Sequence, residues 1–227
     1  MTGPEMPARE MSARDRILAR VKRATGGGST VAVAARLGHH IAADAPGSAP
    51  VPAAAQTQGE ARITQFIDKT IAVDATVSRI ASLDDLPAAV ADELRNRNLP
   101  AAIRTGHDPA FERDWGTLEH STGPGRLEEP ATLSRAHLAM AETGTVVLAS
   151  GSENPVTLTF LGETHFVVVA ADDIKAGFED MWAEWRKRGL DPRTVNMVTG
   201  PSRSADIGQT LQLGAHGPVA LHVFVVG

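Results

Sequence analysis

Apolar residues in the second half of the chain occur in short continuous runs. Such runs of Val, Ile, Leu, Ala and Phe are typical of strands that are buried on both faces of a sheet. They predict strands at residues 145–149, 165–170, 194–198 and 219–226. Two shorter runs, at residues 76–80 and 100–104, predict further strands in the first half.

Between these runs, apolar residues recur with the three- and four-residue spacing of amphipathic helices. Residues 119–130, which surround a Gly-Pro-Gly turn, are predicted to form a loop. Strands that alternate with helices predict an α/β fold with a mostly parallel sheet covered on both faces. The predicted helices are residues 60–73, 84–97 and 132–141, one that Asp172 or Asp173 caps, and one that leaves the loop at residues 200–206 and continues to Leu213.

The first 60 residues differ in composition from the rest. Ser12 and Asp15 fit a capping box for a basic helix, and residues 31–41 predict a second short helix. Residues 42–59 are rich in Ala, Pro, Gly, Ser and Gln, which is typical of a flexible loop. We therefore predict a helical N-terminal segment at residues 1–60 and an α/β domain at residues 61–227.

The composition excludes several classes of function. The chain has no cysteine, so it has no disulfide, no thiol nucleophile and no conventional cysteine ligand for zinc or an iron–sulfur cluster. Its net charge of -5 gives no general attraction to nucleic acid or to an anionic membrane. There is no secretory pattern near Met1 and no apolar run of the ~20 residues that span a bilayer, so we expect a cytoplasmic protein. We also expect this chain to bind no cofactor or metal.

Three polar loops beside predicted strands carry the candidate chemistry. In open α/β sheets, ligands bind at the carboxyl ends of the strands, and N–H groups at the start of a helix attract anions. We therefore expect these loops to converge on a site for a carboxylate or a phosphate. They contribute Glu142, Thr143, Gly144 and Thr145 before one strand, Gly200, Ser202, Arg203, Ser204 and Asp206 after another, and His216 and Gly217 before the last.

Each charged or titratable candidate has two interpretations. Glu142 is a nucleophile or base if desolvation shifts the pKa of its carboxyl group, or else a structural cap. Arg203 is a bidentate hydrogen-bond donor to an anion, or it joins two loops by structural contacts. His216 belongs to the residue type that changes charge near neutral pH, or it satisfies a backbone carbonyl. Spacing alone leaves these alternatives open.

Four segments occur in a recognisable order: AETGTVVL at residues 141–148, ETHFVVV at 163–169, TGPSRSADI at 199–207 and GAHGP at 214–218. Taken in this order, they resemble the LUD-domain family, and most closely its lactate-utilisation protein C branch. Four ordered motifs are far less probable by chance than one. The resemblance is most specific from Ser134 to the end of the chain, and residues 12–18 resemble the same branch.

The resemblance implies a fold similar to that of the NagB/RpiA/CoA-transferase superfamily, a Rossmann-like three-layer α/β/α sandwich. It also implies a role in bacterial L-lactate use, within a system that oxidises L-lactate to pyruvate. Iron–sulfur clusters are expected on partner proteins of a lactate-oxidising complex. This chain would then be a non-redox accessory or substrate-handling subunit.

Two other functions remain open at this point. One is a free-standing CoA-transferase-like enzyme with Glu142 as nucleophile or base, by analogy with superfamily members that use a loop glutamate. The other is a binding module for a small carboxylate or phosphate that uses the loop at residues 200–206. Whether the chain is itself an enzyme is not decided by the sequence.

Overall fold

The structure, a computed structural model, describes residues 12–24, 51–204 and 212–227. The chain divides into two compact units, Met1–Pro50 and Val51–Gly227. In the first unit, helix α1 spans Ala13–Ala24, and the Asp15 N–H donates to Ser12 Oγ at 3.1 Å, as the capping pattern predicts. The helix predicted at residues 31–41 lies outside the described residues.

A six-stranded parallel sheet, here called the large sheet, forms the centre of the second unit. Its strand order is β1-β12-β7-β4-β2-β3, and every neighbouring pair is parallel. The parallel sheet predicted from the apolar runs is therefore confirmed. Its strands are β1 (Thr76–Ile80), β2 (Ala102–Thr105), β3 (Glu119–Thr122), β4 (Ala131–Arg135), β7 (Thr164–Ala170) and β12 (Ala220–Val226).

A second, four-stranded sheet, here called the small sheet, was not predicted. Its order is β8-β5-β6-β9, with β5 antiparallel to β6 and β6 antiparallel to β9. Two of the predicted strands, β6 and β9, belong to this sheet and not to the parallel one. The members are β5 (Leu138–Met140), β6 (Thr145–Ala149), β8 (Ile174–Lys175) and β9 (Val195–Val198).

The helices of the second unit cover the sheets. They are α2 (Gly59–Ala72), α3 (Leu86–Asn96), α4 (Val156–Phe160) and α5 (Phe178–Lys187). Pro87 lies in the first turn of α3, where its missing N–H is tolerated. In the described residues no helix has the length and apolar character needed to cross a membrane.

Three apolar clusters fix the layers. On one face of the large sheet, Phe166, Val168 and Phe224 pack with Leu86 and Val90 of α3. On the other face, alternate residues of β7 and β12 pack against Phe66 of α2 and against β6. The outer face of the small sheet packs on Met181 and Trp185 of α5. The parallel sheet is thus covered on both sides, although one side includes a second sheet.

Four local predictions were wrong. The helix predicted at residues 132–141 is strands β4 and β5, because a short run that is buried on both faces fits either element. The predicted loop at residues 119–130 begins with β3. The helix expected after Asp172 or Asp173 starts only at Phe178, since Ile174–Lys175 first pairs with β5.

The fourth prediction, a helix that leaves the loop at residues 200–206 and continues to Leu213, is wrong at the end that the structure describes. Arg203–Ser204 forms strand β10, which pairs antiparallel with strand β11, Gln212–Leu213. The described ends of this segment are therefore a two-stranded ribbon. No helix starts at Ser202, because the next two residues form β10. Residues 205–211, including Asp206, lie outside the described residues.

Candidate functional site

A cavity of about 220 Å³ lies at the end of β9. It is lined by residues 159–160 of α4, by residues 197–202 and by residues 216–218. Four of the predicted site residues therefore share one cavity: Gly200, Ser202, His216 and Gly217.

The cavity is not at the carboxyl ends of the large sheet, where it was expected. It adjoins the carboxyl end of β9, which belongs to the small sheet. On its other side, Pro218 and Phe160 lead into β12 and β7, whose first residues pair as Ala220 with Thr164. The cavity therefore lies where the amino ends of two parallel strands meet the end of an antiparallel one.

Ser202 holds two of the predicted loops together. Its N–H donates to the Pro218 carbonyl at 2.9 Å, and its own carbonyl accepts from the Gly214 N–H at 3.2 Å. Its hydroxyl oxygen accepts from the His216 N–H at 3.3 Å. These bonds leave the hydroxyl hydrogen of Ser202 available to a ligand.

A chain of threonine hydroxyls joins the remaining loop to this cavity. Thr143 Oγ1 lies 2.7 Å from Thr145 Oγ1, which lies 2.6 Å from Thr199 Oγ1. Thr199 lines the cavity, and Thr145 is buried. Gly144, between the first two threonines, turns with φ +68° and packs directly against the backbone of α2 at Thr70. The threonine hydroxyls thus join the turn at Thr143–Thr145 to the end of β9, and Ser202 joins the loop at residues 200–206 to the loop at residues 214–218.

Glu142 lies elsewhere. Its N–H donates to the Ala176 carbonyl at 2.9 Å. Its half-buried carboxylate faces Gly177, where an added Cβ would be 2.8 Å from Glu142 Oε2 and 2.4 Å from Ala55 Cβ. Residues 199–202 and 216–218 line the cavity without Glu142. The structure does not bring this carboxylate together with His216.

Arg203 also points away from the cavity. Its Nε lies 3.5 Å from Asp74 Oδ2, and its Nη1 donates to the Val219 carbonyl at 3.2 Å. These contacts fit the structural interpretation of Arg203, in which its side chain joins two loops. Ser204 follows it in β10.

Thr159 is a cavity residue that the sequence did not indicate. Its side chain is only 2% exposed, and its Oγ1 has no hydrogen-bond partner among the described residues. A buried hydroxyl without a partner costs stability. The available signal was the pair Thr157 and Thr159 in an apolar five-residue segment, because threonine is disfavoured inside helices.

Polar groups inside the large sheet are arranged differently. His165, which is 1% exposed, places Nε2 3.0 Å from Ser134 Oγ. His222 lies between Thr76 Oγ1 at 2.7 Å and Ser78 Oγ at 3.0 Å. Both imidazoles lie in the strands themselves, away from the cavity.

Burial keeps both of these imidazoles neutral. It lowers the pKa of His165 from 6.5 to about 3. Burial also lowers the pKa of His222 to about 3, with a smaller contribution from the charge of Arg97. The Glu93 carboxylate, 3.6 Å from His222 Nδ1, would favour the charged form, but it is itself paired with Arg97 at 3.3 Å. The desolvation of the ring therefore decides the direction.

No metal centre is found in the part of the chain that the structure describes, where no three His, Asp or Glu side chains are grouped closely enough to hold an ion. The cavity chemistry there is that of hydroxyl groups, backbone amides and one imidazole. Such groups form hydrogen bonds to polar ligands.

Residues 128–226, which include the cavity, match the model of the LUD domain. The chain is 38% identical over 93 residues to lactate utilization protein C of Geobacillus sp. strain WCH70, which covers 39% of either chain. It is 35% identical over 154 residues to an uncharacterized protein of Neisseria meningitidis serogroup B, which covers 61% of this chain and 64% of that protein. The match thus spans about two fifths of the length of the Geobacillus relative.

A solved structure of a DUF162 family protein from Deinococcus radiodurans has a similar fold. Its TM-score is 0.57 at 22% identity, and the match covers 75% of this chain and 100% of that one. At this identity the likeness supports the fold alone. Residues 128–226 of the chain are similar to the LUD-domain family. Within that family, its similarity is to the branch whose members are named lactate utilization protein C.

Proposed function

We propose that this chain is a non-redox, substrate-handling component of a system that oxidises L-lactate to pyruvate in the cytoplasm. The observation that carries the proposal is the cavity at Thr199–Ser202 and His216–Pro218, inside the region that matches the LUD domain. Relatives of that region are named for lactate utilisation. Electron transfer is assigned to partner proteins with iron–sulfur clusters.

The cavity suits the handling of a small acid better than its oxidation. Hydroxyl groups of Thr199 and Ser202 offer hydrogen bonds to a carboxylate or a hydroxyl group. None of the lining side chains is itself an electron carrier. A substrate bound here would be positioned for a redox group that another subunit supplies.

Deletion of the gene, with growth measured on single carbon sources, tests the proposal. The deletion strain is expected to lose growth on L-lactate and to retain growth on pyruvate, because only the step between them is affected. A plasmid copy of the intact gene should restore growth. Unchanged growth on L-lactate, together with purification of the tagged chain free of iron–sulfur proteins, would contradict the proposal.

A second candidate is a CoA-transferase-like enzyme with Glu142 as nucleophile. The observation that favours it is that the half-buried Glu142 carboxylate makes no hydrogen bond or ion pair with another described residue. Incubation with acyl-CoA donors, followed by mass measurement of the intact protein, tests this candidate. A covalent thioester that is absent from Glu142→Gln and present in Thr159→Val would support the enzyme. An unmodified wild-type chain would remove it.

A further inference from the structure

We infer that a second ligand site lies at the carboxyl ends of β2 and β3, and that it binds a small primary ammonium ion. The site is a cavity of about 110 Å³, here called the β2–β3 cavity, which is lined by residues 105–108, 111–113, 120 and 122. These residues lie outside the region that matches the LUD domain. The β2–β3 cavity is therefore separate from the cavity at the end of β9 and from the role proposed for it.

The β2–β3 cavity adjoins the point where the strand order of the large sheet reverses. In this sheet β2 is followed by β3 on its outer side, whereas β4 is followed by β7 on the opposite side. In open α/β sheets, ligands bind outside the carboxyl ends of the strands at such a point. Arg135, the last residue of β4, donates to Asp108 at 2.7 Å and so bridges β2 and β4. The open space lies on the β3 side of this bridge.

His120 offers an oriented hydrogen-bond acceptor to the β2–β3 cavity. Thr105 Oγ1 donates its single hydrogen to the Gly106 carbonyl at 2.9 Å, so it accepts from His120 Nε2 at 2.9 Å. The neutral ring then has a free lone pair on Nδ1, which is accessible and makes no hydrogen bond with another described residue. Burial lowers the pKa of His120, which favours this neutral form. Trp115 stacks on the ring at a centroid distance of 4.9 Å and holds its orientation.

The charged side chains of the lining leave one negative charge unbalanced. Arg113 lies 3.4 Å from Asp84 and also donates to two backbone carbonyls. The charge of Asp108 is balanced by that of Arg135. The exposed carboxylate of Glu112 makes no ion pair or hydrogen bond with another described residue. The lining therefore favours a cation over an anion.

A primary ammonium ion matches the lining in charge and in hydrogen bonding, because it has three N–H donors and no acceptor. His120 Nδ1, the Glu112 carboxylate and the exposed hydroxyl of Thr122 supply three acceptors in one cavity. Phe111, which also lines the cavity, provides apolar surface for a short alkyl group. The volume of about 110 Å³ is well below the roughly 300–1,000 Å³ of drug-sized sites, so the ligand is a small amine.

Amide chemical shifts of the isotope-labelled full chain, titrated at constant ionic strength, test the inference with three probes. These are methylammonium, potassium ion, which has the same charge but no hydrogen to donate, and acetate, which has the opposite charge. Methylammonium is expected to shift the amides of Gly106, His107 and Thr122, which line the cavity. Potassium and acetate should leave these amides unchanged.

Two variants and a matched control identify the contacts. Glu112→Gln should weaken methylammonium binding about threefold, because an exposed ion pair is lost. His120→Phe keeps a ring against Trp115 but removes the acceptor, so binding should weaken roughly tenfold or more. Asp114→Asn removes a nearby exposed acid that does not line the cavity, so binding should be unchanged.

Thermal unfolding of each variant shows whether it is folded, and Glu112→Gln tests the inference by itself because its side chain is exposed. Equal binding of methylammonium by wild type and Glu112→Gln would overturn the inference. Tighter binding of acetate, an equal response to potassium, or no shift at Gly106, His107 and Thr122 would also overturn it. None of these outcomes affects the proposed function, which growth on L-lactate tests separately.

Discussion

Buried polar groups are arranged differently inside the large sheet and at the end of the small sheet. Inside the large sheet, Ser134 Oγ lies at His165 Nε2 and two hydroxyls flank His222, while His165 Nδ1 has no partner among the described residues. At the end of the small sheet, the Thr159 hydroxyl is buried with no partner among the described residues. A buried polar group that the fold satisfies contributes to stability, whereas one that the fold leaves unsatisfied costs stability.

The largest expected effect is the pH dependence of the large sheet. Above pH 6.5, His165 and His222 are neutral in both the folded and the unfolded chain. Below it, the unfolded chain binds protons that the folded chain does not bind until about pH 3. The contribution of these two histidines to the free energy of unfolding is therefore fully present above pH 6.5 and falls as the pH decreases towards 3. Between pH 7 and pH 5 we expect the two histidines together to remove roughly 4 kcal/mol.

Urea unfolding at pH 7, 6 and 5 measures this effect. The His222→Gln variant should show about half of the pH dependence, because it retains only His165. Ring proton resonances of His165 and His222 that remain in the neutral position at pH 5 would support the cause directly. A free energy of unfolding that is constant over this range would show that these imidazoles are not buried as described.

The next effect concerns the hairpin turn that carries the threonine chain. Gly144 has φ +68°, and an added Cβ would lie 2.5 Å from the Thr70 nitrogen. Gly144→Ala should therefore lower the free energy of unfolding by roughly 3 kcal/mol, from the left-handed backbone and the clash combined. The control is Gly189→Ala, because Gly189 has φ +63° with nothing within 4 Å of an added Cβ. Guanidinium unfolding with equal losses in both variants would refute close packing of the turn on α2.

A pair of hydroxyl deletions tests the comparison between the two sheets. Ser134→Ala leaves His165 Nε2 buried without its partner, so we expect a loss of about 2 kcal/mol. Thr159→Val removes a buried hydroxyl that has no partner among the described residues, so the ligand-free protein should be equally or slightly more stable. Urea unfolding of both variants at pH 7.5 measures the difference. A larger loss for Thr159→Val would mean that its hydroxyl is structural.

The smallest expected effect is at Arg203. Its guanidinium contacts Asp74 at an exposed position and does not line the cavity. Arg203→Gln should change the free energy of unfolding by less than about 1 kcal/mol, because exposed ion pairs contribute little. The affinity for L-lactate should also be unchanged, as measured by calorimetry. A large loss of affinity would place Arg203 in the ligand site after all.

The sequence predicted the parallel sheet because its strands are continuous apolar runs with helical segments between them. It did not predict the small sheet, since β6 and β9 have the same apolar pattern as the strands of the large sheet. Pairing partners depend on contacts between distant residues, which periodicity does not record. The same ambiguity explains why residues 132–141 were taken for a helix.

The candidate site was predicted in part. Ser202 and His216 are brought together because their loops are joined by backbone hydrogen bonds. Glu142 was grouped with them by its position before a strand, yet its carboxylate faces Gly177. Thr159 was missed because its importance comes from burial without a partner, a property of the folded chain. Residue type suggests which chemistry is possible, but the packing around each side chain decides which residues share a site.

Backbone amide chemical shifts during titration of L-lactate into the isotope-labelled full chain test the central claim most directly. The account predicts that the largest changes occur around the cavity, at Gly200, Ser202 and Gly217. Changes centred on Glu142 and Gly177, or no changes at all, would contradict the assignment of the cavity as the ligand site.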